Sequence, residues 1–187
     1  MKNLKRCGWV DLSKDYYVQY HDKEWGKPVR DDKTLFEFLI LEGAQSGLSW
    51  TTVLSRRDAY RKAYLDFDVN KVAKFTDKKI MKLLENEGII RNRLKIHSSV
   101  TNAQLFLEIQ DEFGSFSKYV WSFVGNKPLV TKGLKRQTTS KESDALAKDM
   151  KKRGFKFVGS TIMYAYMQAC GLVMDHSKDC FCYKKLK

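Results

Sequence analysis

The chain has 187 residues, 43% hydrophobic and 13% aromatic, which is enough to bury a core of its own. No window nears the roughly 20 apolar residues of a membrane span, and no basic start runs into an apolar stretch, so a membrane partner is excluded and a soluble cytoplasmic protein is expected. Thirty-five Lys and Arg against 22 Asp and Glu leave a net charge of +13, a field that concentrates polyanions and makes nucleic acid the leading partner.

In chain order the periodicity predicts one helix after another. From Asp32, Leu35, Phe38, Leu39 and Glu42 fall on one face of a helix that stops near Gly43. Ser49 caps the next, with Trp50, Val53, Leu54 and Tyr64 facing inward. Asp68 opens a short helix through Val69, Val72 and Ala73, and Thr76 another through Ile80, Leu83 and Leu84 that Gly88 ends. Ile96, Val100, Ala103 and Leu107 make a stripe, followed by a shorter helix with Phe116, Tyr119, Val120 and Phe123.

Residues 125–138 read as a loop. Thr139 with Glu142 fits a capping box for a helix through Leu146 and Met150 that Gly154 stops. A last helix, capped by Ser160 and closed by Gly171, is apolar on most sides and is expected to run through the middle of the fold. Strand alternation is scarce, Phe155 and Phe157 around Lys156 being the best case, so the class is all-α.

Four cysteines, Cys7, Cys170, Cys180 and Cys182, are expected as reduced thiols. Cys7 and His21 near one end, with His176 and Cys180 near the other, make a Cys2His2 set that would close tetrahedral zinc with no open position. Spacing alone leaves the alternative open that these four are unrelated. Glu42 is the odd residue of its stripe: an unpaired buried carboxylate costs several kcal/mol, so either a ligand completes it or it looks into water from the helix end. Tyr17, Tyr20, Trp25, Trp50 and Trp9 lie around it in sequence; rings and one carboxylate suit a cationic purine, and ordinary core packing suits them as well. The stretch LLENEGIIRNRLKI joins two helices through Gly88 and opens the second with Arg91, Arg93 and Lys95, where backbone N–H groups and cations could hold a phosphate.

Taken together, RCGWV, YHDKEWG, LEGAQSGLSW, GIIRNRLKI, VWSFV, KKRGFKFVGSTI and MQACGLVMDH resemble, in order and over essentially the full chain, the bacterial 3-methyladenine DNA glycosylase I family of the helix-hairpin-helix superfamily. The resemblance implies an all-α helix-hairpin-helix glycosylase fold, a single compact unit over 1–187. Within it a helical lobe of about 30–135 would carry the hairpin, and a lobe from about 1–30 and 136–187 would be stapled by zinc. It implies structural Zn2+ on Cys7, His21, His176 and Cys180. Glu42 would be the catalytic residue, with Tyr20 hydrogen-bonding the methylated adenine beside it, Trp50 stacking, and Tyr17, Trp25 and Trp9 lining the same cavity. Gln45, Gly47 and Leu48 would press into the DNA where the base has left, Leu48 as the wedge, and Gly88, Arg91 and Arg93 would bind phosphates.

The stretch between Cys7 and His21 is a residue longer than in the familiar form, and residues 131–138 are dissimilar; the resemblance also implies, as for the rest of the family, no catalytic aspartate of the kind that other superfamily glycosylases carry after the hairpin. The expected activity is base excision repair: flipping of 3-methyladenine out of double-stranded DNA and hydrolysis of its N-glycosidic bond by a monomer, with free 3-methyladenine as product. The resemblance places no lysine as a Schiff-base nucleophile, so the enzyme is expected to be monofunctional. The rival readings are a non-catalytic zinc-containing nucleic-acid-binding module and a glycosylase for another lesion such as 7-methylguanine.

Overall fold

The computed structural model describes residues 4–131 and 137–184. Eleven α-helices, with a 3-10 turn at Leu65–Phe67 between the fourth and fifth, follow in these residues: α1 (Asp15–Lys23), α2 (Asp32–Gln45), α3 (Trp50–Leu54), α4 (Arg57–Ala63), α5 (Val69–Val72), α6 (Asp77–Glu85), α7 (Arg93–Phe113), α8 (Phe116–Ser122), α9 (Lys141–Arg153), α10 (Ser160–Ala169) and α11 (Phe181–Lys184). None is long and apolar enough to cross a membrane. Three starts are capped as the sequence predicts. Ser49 accepts from the Thr52 N–H, Asp68 from Lys71 and Thr76 from Lys79, each satisfying one donor that the helix leaves orphaned.

Several boundaries differ from expectation, each for a local reason. α1 was not foreseen, although Tyr17, Tyr20 and His21 repeat at helical spacing and are its buried face. α2 is capped by Asp31 and runs past Gly43 to Gln45; Asp32 instead reaches across to accept from the Phe116 and Ser117 N–H groups, at 2.9 and 2.8 Å, and so helps to start α8. The helix expected from Ser49 breaks after Leu54 and resumes as α4, with Tyr64 beyond its end. On α7 the buried face follows Ile96, Ser99, Ala103 and Phe106, leaving Leu107 only half-buried.

The capping box belongs to Ser140 and Ser143 rather than to Thr139 and Glu142. α10 is capped by Gly159, and Ser160 spends its hydroxyl on Asp144. Of the loop expected at 125–138, residues 132–136 lie outside those described; before them Leu129–Val130 pairs in parallel with Val173–Met174 in a two-stranded sheet, β1 and β2, the described exception to an all-helical chain. Phe155 to Phe157 forms no strand. Buried Asn102 takes both backbone groups of Lys156, at 2.9 and 3.0 Å, in place of a ladder.

α2 and α10 cross in the middle. Leu35 to Leu41 of α2 are buried on every side, as are Met163, Tyr166 and Met167 of α10. Gly171 ends α10 at φ +68, where a Cβ would come 2.1 Å from the Lys27 carbonyl carbon, so only glycine lets the 26–29 segment lie against the helix end. Behind the centre, Arg57 of α4 grips Glu37 of α2 with Nε and Nη2, at 2.8 and 3.1 Å, reaches Glu24 after α1 at 2.6 Å, and lies over the Phe38 ring. Removing one partner strands a buried charge. Arg57→Met is expected to destabilise the fold by about 3 kcal/mol in urea titration, with Arg61, 2.9 Å from Glu37, limiting the loss.

Candidate functional site

α1, α2, α3 and α10 surround a cleft of about 600 Å³. One wall collects residues that are far apart in sequence: Trp9 before α1, Tyr17 and Tyr20 on α1, Trp25 just after it, and Trp50 at the start of α3. Their rings interlock. Trp9 lies edge-on to Trp25 at 4.9 Å and tilted against Tyr17 at 5.2 Å, while Tyr20 tilts against Trp50 at 5.5 Å.

Glu42, on the last turns of α2, closes the floor. It is only 4% exposed, although it lines the cleft. Its carboxylate has no hydrogen bond or ion pair among the described residues, and burial alone pushes its pKa up to about 8. The acid therefore holds its proton further up the pH scale than a solvated carboxylate does, which relieves it of the cost of a lone buried charge. Tyr20 is close enough for its phenol to be pushed up by burial and by the charge of Glu42. The Trp50 Nε1–H is buried with no partner among the described residues. A protonatable acid and an unspent donor between flat ring surfaces are the fittings of a pocket for a planar, nitrogen-rich ligand.

The facing wall was not read from the sequence. Thr161, Ala165 and Gln168 of α10 and Asp175 after β2 supply it. Asp175 is held by the Gln168 amide at 2.7 Å and by the Thr131 hydroxyl. The signal lay in the half-exposed positions at helical spacing on an otherwise apolar α10, a pattern that a solvent-facing stripe shares.

Directly behind Trp9 and Trp25, Cys7, His21, His176 and Cys180 meet, all buried, with their ligand atoms within 4.8 Å of one another. Cys7 Sγ lies 3.4 Å from His176 Nδ1, and Cys180 Sγ lies 3.5 Å from His21 Nε2 and 3.6 Å from His176 Nδ1. Tetrahedral zinc, with bonds of about 2.3 Å to sulfur and 2.0–2.1 Å to nitrogen, sets sulfur-to-nitrogen edges of about 3.6 Å, so the four residues fit the ion. The outward nitrogens fit too. His21 Nδ1 is 2.8 Å from Asp22, itself clamped by Arg6, and His176 Nε2 is 3.1 Å from the Trp25 carbonyl, which turns the other nitrogen of each ring toward the common centre.

At the cleft's rim the chain leaves α2 in a closed turn. The Leu48 N–H donates to the Gln45 carbonyl and the Gln45 amide donates back to the Leu48 carbonyl, both at 2.6 Å, around Gly47 at φ +77. Leu48 stands exposed at its tip. Beyond it is the turn from α6 to α7. Gly88 packs against Ala59, and its N–H is taken by the Asn86 side chain at 2.9 Å; the Ile90 N–H goes to the Tyr60 hydroxyl at 3.1 Å. Arg91 and Arg93 are exposed there. α7 opens at Arg93 behind the cap Asn92, so Arg91 precedes the helix rather than beginning it.

A family profile described as methyladenine glycosylase matches residues 9–183. The chain is 48% identical over 183 residues, 96% of its length and 97% of the relative's, to DNA-3-methyladenine glycosylase 1 of Escherichia coli (strain K12). Its fold matches a crystal structure of 3-methyladenine DNA glycosylase I at TM-score 0.92 and 48% identity, over 95% of this chain and 99% of the other. It also matches a point variant of 3-methyladenine DNA glycosylase I in complex with 3-methyladenine, at TM-score 0.90 and 37% identity over 94% and 96% of the two chains.

Proposed function

Since the chain belongs to the methyladenine glycosylase family, we propose that its cleft receives an alkylated adenine swung out of double-stranded DNA and that Glu42 and the surrounding rings carry out its release. The reaction is hydrolysis of the N-glycosidic bond of 3-methyladenine. The observation that carries the assignment of roles is Glu42, a buried acid that no side chain completes, facing a cleft walled by Tyr20, Trp50, Tyr17, Trp25 and Trp9.

The chemistry of the lesion explains this economy. Methylation at N3 leaves the ring cationic, so the glycosidic bond is already weakened and its departure yields a neutral base. The pocket has no leaving group to protonate. Arrival of the cation favours the ionised form of Glu42, so the charge is created where it is at once compensated. Trp50 and Tyr20 offer π faces to the same cation. Unmodified adenine brings no charge to offset ionisation of Glu42, which gives discrimination without a large contact difference.

The remaining roles follow the geometry. Zn2+ held by Cys7, His21, His176 and Cys180 would fix the two chain ends behind the ring wall, a structural ion with no open position. In this reading α6 and α7 are the helix-hairpin-helix element. Because the Gly88 and Ile90 amides are spent internally, the phosphates fall to Arg91, Arg93 and the first turn of α7. Gln45, Gly47 and Leu48 would fill the gap left by the flipped base. Action as a monomer completes the proposal, and thiolate ligands suit the reducing cytoplasm.

Incubation with methylated duplex DNA is expected to release 3-methyladenine, identified by chromatography, and to leave an intact strand until base or a lyase is added. Strand breaks made by the protein alone would overturn the monofunctional assignment, and 7-methylguanine as the main product would reassign the lesion.

A further inference from the structure

Lys95 stands in the first turn of α7, among cations that a sequence reader would give to DNA, yet its ammonium is turned inward. Nζ donates to the Ala44 carbonyl at 2.8 Å and to the Ser46 carbonyl at 2.6 Å, where α2 ends. The last turn of α2 has no basic residue of its own. A helix C-terminus presents unpaired carbonyls and a partial negative charge. Here a cation from another helix meets both.

That contact joins two parts of the site. Two residues back along α2 from Ala44 is Glu42, and two residues on from Ser46 is exposed Leu48, at the tip of the closed turn. The bonds within the turn set its shape but not where it stands. On its other side Lys95 is rooted in the helix start itself, its N–H donating to Asn92 at 3.1 Å, with Arg91 and Arg93 exposed beside it.

We propose that Lys95 is a positioning residue, a strut that ties the turn carrying Leu48 and the end of the helix carrying Glu42 to the helix start that meets the DNA backbone. Docking on the phosphates then sets how deep the wedge enters and where the pocket opens to receive the flipped base. The inference rests on the reading of Leu48 as the wedge and of the α6–α7 turn as the phosphate site.

Lys95→Met keeps the apolar stem and removes charge and donors, while Lys95→Arg keeps both. The test measures single-turnover release of 3-methyladenine from methylated duplex, calorimetric affinity for free 3-methyladenine, and the salt dependence of duplex binding, with Leu48→Ala run alongside. Lys95→Met is expected to lose at least tenfold in release from duplex, to bind free base within twofold of the unsubstituted protein, and to keep the salt slope; Lys95→Arg recovers most of the loss. Should Lys95→Met not fold, Lys95→Gln is held to the same measurements.

Normal release by Lys95→Met beside impaired Leu48→Ala would remove the strut and keep the wedge. A salt slope shallower by about 0.9 would make Lys95 a phosphate contact instead, and a matching loss of free-base affinity would make it merely structural. Normal release by Leu48→Ala would remove the wedge reading, and the strut with it.

Discussion

At pH 8 the Glu42→Gln variant is expected to melt well above the unsubstituted protein, and the gap is expected to close as the pH falls to 4.5. Burial raises the Glu42 pKa from 4.5 to about 8. A carboxyl whose pKa is raised by folding stabilises the folded state fully below its unfolded pKa, and that contribution is lost as pH climbs through the folded value. Between pH 4.5 and 8 the loss is on the order of 3–4 kcal/mol. Glutamine cannot ionise, so the variant escapes it. The same substitution removes the group proposed to answer the cationic purine, and calorimetry with free 3-methyladenine should find binding weaker by roughly 1.5–3 kcal/mol, the range for a hydrogen bond to a charged group. Parallel melting curves for the two proteins across this pH range would place the acid in water, and an unchanged affinity would take it out of the pocket.

The second large effect concerns the metal. Chelation, or Cys180→Ser, is expected to cost several kcal/mol of stability, because the proposed ion would couple residues that folding alone brings together. Base affinity should fall with it, since the Trp25 ring lies 4.7 Å from His176 and Trp9 lies 5.3 Å from His21, so both rings of the wall rest on imidazoles of the cluster. Elemental analysis by mass spectrometry, paired with melting and calorimetry, checks each part. A Cys180→Ser protein that retains one zinc per chain and its melting point would show that the four residues are not the site.

Much of this site can be read from residue types, and the unread part has a physical pattern. Glu42 stands out because a carboxylate on an apolar stripe has to be compensated or solvated, and periodicity exposes the conflict. The Cys and His set is recognisable by chemistry, but the distances that suit zinc belong to the fold. α1 escaped notice because its tyrosines read as binding groups rather than as a helical face. The opposite wall, Thr161, Gln168 and Asp175, escaped because a polar residue at a cleft looks like any other on a surface. The shift from Thr139 to Ser140 at the start of α9 shows the limit of cap reading where several hydroxyls adjoin: Ser143 fits into the interior, fully buried, and neighbouring packing decides the register. Lys95 is the sharpest case, since only coordinates reveal which way its long stem bends.

Cys7 and His176 touch across 169 positions of chain. On a ribosome the early thiol must wait for that whole stretch of chain before its mate emerges, so this contact forms only late in synthesis. A product stopped short of His176 would lack two of the four residues that meet behind the ring wall, so that cluster forms in one late event.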